Sequence, residues 1–196
     1  FNSAPNVNLP VKPVKADQRV KVRESAKAID VLIDAKLRAE DLPPNPEIDD
    51  ARFVRRVYLD ITGQIPTGRE AYLFVSSNIE NKREVLIDFL LGSVGYSSHM
   101  FNYWADTWRI VDKSTNNTYI RPWADWVKRN LRQNKPYDVM VRQMLMADGQ
   151  VFENPAVGYR LRDVGMPLDH LNNTVRVFLG TRIGCAQCHD HPFDKW

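Results

Sequence analysis

The stretch DDARFVRRVYLDITG, residues 49–63, contains a complete helix with a signal at each end, and it indicates the fold class. Its apolar residues recur at the three- and four-residue spacing of an amphipathic helix, at Phe53, Val54, Val57, Tyr58 and Ile61. Asp49 and Asp50 can cap the N-terminus, and Gly63 can end the helix. This segment therefore predicts a helix that buries one face.

The same pattern extends in both directions from this helix. On the N-terminal side, an apolar stripe through residues 28–37 predicts a helix that ends before Pro43. On the C-terminal side, Thr67 and Glu70 have the spacing of a capping box and predict a short helix through Val75. Further helices are predicted over about 82–91, 97–112, 122–133, 137–147 and 168–179. Because no sustained period-two alternation appears, we expect a mainly α fold, a single helical domain of about seven helices.

Two segments lack this helical pattern. Residues 1–17 contain Pro5, Pro10 and Pro13 between polar spacers, which predicts an extended tether. Residues 149–166 are rich in glycine, proline and polar residues and predict a long loop before the C-terminal segment. We therefore divide the chain into a tether, 1–17, and a helical domain, 18–196.

Four tryptophans at helical spacing, Trp104, Trp108, Trp123 and Trp126, are expected to be core aromatics.

Composition excludes several classes of protein. The 196 residues carry a net charge of +3, with acidic and basic residues mixed along the chain. No basic patch or aromatic-basic motif of a nucleic-acid-binding protein appears. No apolar stretch approaches the roughly 20 residues that span a bilayer, and the first residues lack the pattern of a signal peptide. We find no Ser-His-Asp arrangement or phosphate-binding loop that would favour hydrolysis or phosphoryl transfer.

The chemistry of the chain is concentrated in residues 184–196, GCAQCHDHPFDKW. Within them, the run Cys185-Ala-Gln-Cys188-His189 matches the attachment pattern of c-type haem. Two thiols three positions apart reach the two vinyl groups along one edge of a porphyrin, and the adjacent imidazole meets the iron. The pattern predicts one covalent haem, with Cys185 and Cys188 as thioether partners and His189 as the proximal iron ligand.

Three other interpretations of this motif stay open. A CxxC pair can form a redox disulfide, although that function is expected in a βαβ context. Zinc could be bound by Cys185, Cys188, His191 and one distant histidine. A five-residue match can also arise by chance. The haem interpretation is favoured because it uses both cysteines of the chain together with the adjacent histidine.

Several residues are candidates for further haem contacts. The sixth iron position could be filled by His170, by His99 or by Met166, or it could remain open. Candidate partners for the haem propionates are His191 and Arg109. His191 is too close in sequence to His189 to reach the opposite face of the ring. Arg109 is one turn from Asp106, so it could instead pair there or anchor a neighbouring segment.

Four blocks of the chain resemble a known family of domains. They are residues 53–66, 103–109, 126–148 and 178–194, the last of which contains the CxxCH motif. In these blocks the chain resembles the planctomycete cytochrome C type two domains, a family of unknown function, from about Asp50 to the last residue. The resemblance implies a helical domain with CxxCH at its end, in exported multidomain proteins without an assigned reaction. Family members usually continue beyond the point that matches Trp196, so we expect this chain to be part of a longer protein.

These observations lead to one leading functional hypothesis. We expect residues 18–196 to form a c-type haem-binding domain for single-electron transfer, more an electron carrier than an enzyme. Covalent attachment requires reduced cysteines delivered across a membrane, so the expected location is periplasmic or otherwise exported. The partners would be a redox protein or neighbouring domains of a larger complex, with a membrane tether outside this chain. The alternatives are an accessory subunit with a structural haem or other metal, and a haem enzyme with an open iron site.

Overall fold

The computed structural model describes residues 16–114 and 116–190. These residues form nine α-helices and two short 3-10 helices, with no strand beyond an isolated bridge between Lys113 and Tyr119. The predicted mainly α class is confirmed, although the count is nine helices rather than about seven. The predicted tether lies outside the described residues except for Ala16 and Asp17, which already belong to the first helix.

The helices follow one another through short connections. In chain order they are α1 Ala16–Ala39, α2 Asp50–Thr62, α3 Gly68–Val75, α4 Lys82–Leu91, α5 Val94–Trp108, α6 Arg121–Arg132, α7 Tyr137–Met146, α8 Gly158–Leu161 and α9 Pro167–Leu179. The 3-10 helices span Pro155–Val157 and Gly184–Gln187. In the part of the chain that the structure describes, no helix is both long enough and apolar enough to cross a membrane.

Local side-chain chemistry sets the ends of α2 and α3. The Asp49 carboxylate accepts a hydrogen bond from the Arg52 amide at 2.7 Å, which caps α2. Gly63 ends α2 with φ +69°, and a Cβ on it would lie 2.4 Å from Nδ1 of His99. Thr67 and Glu70 form the predicted capping box of α3. The end signals of these two helices are thus confirmed.

Two groups of buried side chains hold the helices together. The first, between α2, α3 and α4, consists of Val54, Val57, Tyr58, Phe74 and Leu90. The second is larger, lies among α5 to α8, and includes Trp108, Ile120, Trp123, Val127, Met140, Met144 and Tyr159. α5 packs against α2 on one side and α6 on the other, so it connects the two groups. Trp108 and Trp123 are fully buried, and Trp104 and Trp126 pack against the same core. The expected role of these four tryptophans as core aromatics is therefore confirmed.

The predicted long loop at 149–166 is only partly a loop. It contains the 3-10 helix Pro155–Val157 and α8, and it buries Val151, Ala156, Val157 and Tyr159 in the larger core. Gly158 lets this segment approach α6 closely, since a Cβ there would lie 2.3 Å from the Cβ of Trp123. The prediction failed because turns this short show no helical periodicity in the sequence.

The first helix contacts the rest of the fold mainly through charged side chains. Arg19 pairs with Asp88 of α4 at 2.5 Å, and Arg23 pairs with Glu84 of the same helix. The apolar stripe that predicts α1 remains exposed at Ile29, Leu32 and Ile33. The helix itself is confirmed, but its stripe does not join either core in this chain.

Candidate functional site

The CxxCH segment follows α9 and folds into one tight turn. Gly180 ends α9 in the left-handed conformation, with φ +68°. The Cys185 carbonyl then accepts hydrogen bonds from the amides of Cys188, at 3.2 Å, and His189, at 3.3 Å. These two bonds hold the two cysteines and the histidine within one turn of backbone.

Both sulfur atoms of this turn are available for reaction. Cys185 and Cys188 are free thiols, and both are exposed to solvent. The turn sits against α9, where the Asn172 amide lies 3.3 Å from the position that a Cβ on Gly184 would take. The thiols are therefore presented at the surface by a backbone that is anchored on a helix.

The orientation of His189 suits a metal ligand. Its Nδ1 lies 2.7 Å from the backbone carbonyl oxygen of Asp190. Because a carbonyl can only accept, Nδ1 is the donor, which leaves Nε2 as the free lone-pair nitrogen. Metal-binding histidines commonly have their second nitrogen held in this way. Two free thiols for thioether bonds, beside one such imidazole for the iron, are the groups that covalent haem attachment requires.

The alternative zinc site gains no support from the described residues. Within 16–114 and 116–190, no group of three or more histidine, cysteine, aspartate or glutamate side chains could hold a metal ion. His191, which was a candidate both for zinc and for a haem propionate, lies outside the described residues.

His170 contacts the protein interior through α8 and the turn that follows it. Its Nδ1 lies 3.4 Å from an Asp163 carboxylate oxygen, and its ring meets Tyr159 edge-on at 5.3 Å between centroids. The Tyr159 hydroxyl lies 3.1 Å from the Thr174 hydroxyl, one turn further along α9. Burial lowers the pKa of His170, and the Asp163 carboxylate opposes that shift only in part. This imidazole is therefore held mainly in its neutral form.

The other two candidates for the sixth ligand lie on different elements. His99 is half-buried on α5, where it packs against Gly63 at the end of α2. Met166 precedes α9 and is exposed, and its carbonyl accepts a hydrogen bond from the His170 amide at 3.0 Å. Met166 is therefore one turn from His170, whereas His99 lies on a different helix.

A buried ionic cluster lies where α5, α8 and α9 meet, and sequence reasoning missed most of it. The Arg162 guanidinium donates hydrogen bonds to the Asp163 carboxylate and to the Trp108 carbonyl at the end of α5. Arg109 lies 3.6 Å from the second oxygen of Asp163, so it anchors a neighbouring segment rather than pairing with Asp106. The cluster was missed because Arg162 and Asp163 fall in the segment predicted as a loop.

The charges of this cluster compensate one another. Burial would raise the pKa of Asp163, but the hydrogen bonds and charge of Arg162, together with Arg109 and His170, outweigh that effect, so the pKa lies below its ordinary value. Asp163 is therefore an anion at neutral pH. Arg109, a candidate propionate contact, already has a carboxylate partner here, while more than half of its side chain stays exposed.

Comparison with known proteins gives one match. The model of the family PSCyt2, described as "Protein of unknown function (DUF1549)", matches residues 28–196. The match begins within α1 and so extends the resemblance seen from about Asp50. No curated protein and no solved structure matches the chain. Since the family model covers most of the sequence, this chain belongs to the PSCyt2 family.

Proposed function

We propose that this chain is a c-type cytochrome domain that carries one covalent haem. Cys185 and Cys188 would form the two thioether bonds, and His189 would be the proximal ligand. One observation carries the proposal: two exposed free thiols share a turn with an imidazole whose Nδ1 is held by a backbone carbonyl. When bound, the haem supplies one-electron chemistry between Fe(II) and Fe(III).

The residues of the turn perform distinct tasks in this proposal. The hydrogen bonds to the Cys185 carbonyl hold both thiols in one turn, which keeps their spacing constant during attachment. The Asp190 carbonyl selects the His189 tautomer with Nε2 unprotonated. Because the turn is exposed, a partner protein or a neighbouring domain can approach it for electron exchange. Because covalent attachment requires reduced cysteines delivered across a membrane, the proposal includes a periplasmic or otherwise exported location.

A second candidate function is that of a haem enzyme with an open iron site. It is supported by the contacts that His170 and His99 already make within the fold. His170 contacts Asp163 and Tyr159, and His99 packs against the end of α2. If neither histidine reaches the iron, and Met166 does not either, the sixth position is open to a small ligand, as in haem enzymes. Carbon monoxide added to the reduced protein tests this. A spectral change on addition supports the open site, and an unchanged low-spin spectrum supports electron transfer.

Attachment itself is tested by expressing the chain in a host that matures c-type cytochromes. We expect haem staining on a denaturing gel, and an intact mass equal to the chain plus one haem. The variant Cys185→Ala, Cys188→Ala should lose both signals. Gln187→Ala is the matched control, because Gln187 is exposed in the same turn and has no part in the thioethers. A wild-type mass equal to the bare polypeptide would refute the proposal.

A further inference from the structure

The outward face of α9 carries a stripe of apolar side chains. The stripe consists of Leu168, Leu171, Val175 and Leu179, which are spaced by three or four residues and therefore share one face. The three leucines are 54%, 49% and 72% exposed, respectively. The larger core contacts Val177, on the opposite face of α9, and Phe178, which borders the stripe because it follows Leu171 by two turns.

This apolar stripe adjoins the CxxCH turn. Asn172 comes four residues after Leu168, so it lies on the same side of α9 as the stripe. Asn172 is also the residue against which Gly184 packs, at the start of the turn that contains both cysteines. The connection through Gly180 thus brings the start of the cysteine turn back against α9, on the side of the helix that carries the stripe.

Charged side chains at this place match the polar groups of a haem. Arg176 follows Val175 at the border of the stripe, and Arg182 lies in the link between α9 and the cysteine turn. Both are exposed, and no ion pair between described residues involves either one. An occupant with an apolar ring and carboxylate arms would satisfy the leucines and the arginines together.

We infer that the porphyrin attached at Cys185 and Cys188 lies against this stripe, in contact with its three leucines, Leu168, Leu171 and Leu179. The inference rests on the proposed function, since it requires haem on these two cysteines. Short thioether links keep a porphyrin close to its attachment turn, and α9 is the element on which this turn packs. Covering the leucines removes apolar surface from water, which favours this position of the ring. The exposed stripe of α1 offers no comparable link, because the described contacts of that helix are its ion pairs to α4.

The test compares leucine methyl resonances with and without haem. The haem-loaded chain and the Cys185→Ala, Cys188→Ala chain are prepared with labelled leucine, and single substitutions assign the signals. Spectra are recorded on the reduced protein, with carbon monoxide added if the sixth position is open, so that the iron is diamagnetic. The porphyrin ring current then displaces only those methyl groups that lie next to the ring.

We expect the methyl signals of Leu168, Leu171 and Leu179 to move on haem attachment. Leu73 on α3 and Leu145 on α7, which are 56% and 51% exposed, are matched controls whose signals should stay unchanged. If intact mass shows attached haem but the three stripe signals stay in place, the inference is overturned and the proposed function stands. The stripe would then serve another occupant, such as a partner protein. If the mass shows no haem, the proposed function and this inference fail together.

Discussion

Replacement of Asp163 by alanine should strongly destabilise the fold. Only 5% of the Asp163 side chain is exposed, and its main partner, Arg162, is 3% exposed. The substitution leaves the buried guanidinium with the Trp108 carbonyl as its remaining acceptor. Removing one partner of a buried ion pair costs about 3–5 kcal/mol. The half-exposed Arg109 adds little to this cost.

The assay is urea denaturation followed by tryptophan fluorescence, which reports on the buried Trp108 next to the cluster. Asp148→Ala is the matched control, because Asp148 also pairs with an arginine, Arg160 at 3.1 Å, but is 89% exposed. We expect only a small change in the free energy of unfolding for that control. Asp163→Asn should fall between wild type and Asp163→Ala, since it keeps one oxygen acceptor. The reasoning is refuted if Asp163→Ala unfolds at the same urea concentration as Asp148→Ala.

The difference in unfolding free energy between wild type and Asp163→Ala should depend on pH, which gives an independent check of the role of Asp163. Burial would raise the pKa of Asp163, but Arg162, Arg109 and His170 together outweigh it, so this pKa is lower in the folded chain than its ordinary value. Its stabilising contribution is therefore fully present above the unfolded carboxyl pKa of about 3.9 and is lost as the pH falls through the lower, folded value. The stability gap between wild type and Asp163→Ala should thus narrow on acidification below about pH 4. A gap that widens there would contradict this assignment of charge.

Three further outcomes follow from the structure. Gly158→Ala should lower the free energy of unfolding, measured by urea denaturation, by about 1–3 kcal/mol, because the added Cβ would collide with Trp123. Gly68→Ala should lower it little, because the space around Gly68 is open. Equal urea midpoints for the two variants would contradict this packing. Asp49→Ala should remove the cap of α2 and cost about 0.5–2 kcal/mol in the same assay, and an unchanged midpoint would mean that the cap is dispensable. In His189→Ala, the intact mass should still show one attached haem, but the visible spectrum of that haem should change. An unaltered spectrum would exclude His189 as the proximal ligand.

The prediction for residues 149–166 failed for a reason that is specific to short elements. A helix of several turns repeats its apolar positions, so α2 and α6 are evident from periodicity. The segment Pro155–Leu161 instead makes two brief turns, and its buried side chains include the neighbours Ala156 and Val157. Such a pattern has no period, and its glycine and proline content resembles that of a surface loop.

The exposed leucines of α9 show a related limit of prediction from sequence. An apolar stripe predicts a helix with a covered face, but it does not say what covers that face. In α9 the structure separates two sets of apolar side chains, one packed against the core and one exposed. The stripe of α1 likewise predicted its helix correctly but not its exposure.

The features that could be predicted from the sequence are those whose partners are close along the chain. The caps at Asp49 and Thr67 join residues three positions apart, and the CxxCH motif places its donors within five consecutive residues. The ionic cluster could be identified only from the packed helices, because Arg162 and its acceptor Trp108 are separated by 54 positions. The reason is physical: a hydrogen bond between sequence neighbours depends on local backbone geometry, whereas a buried charge finds its partner only after the helices have packed.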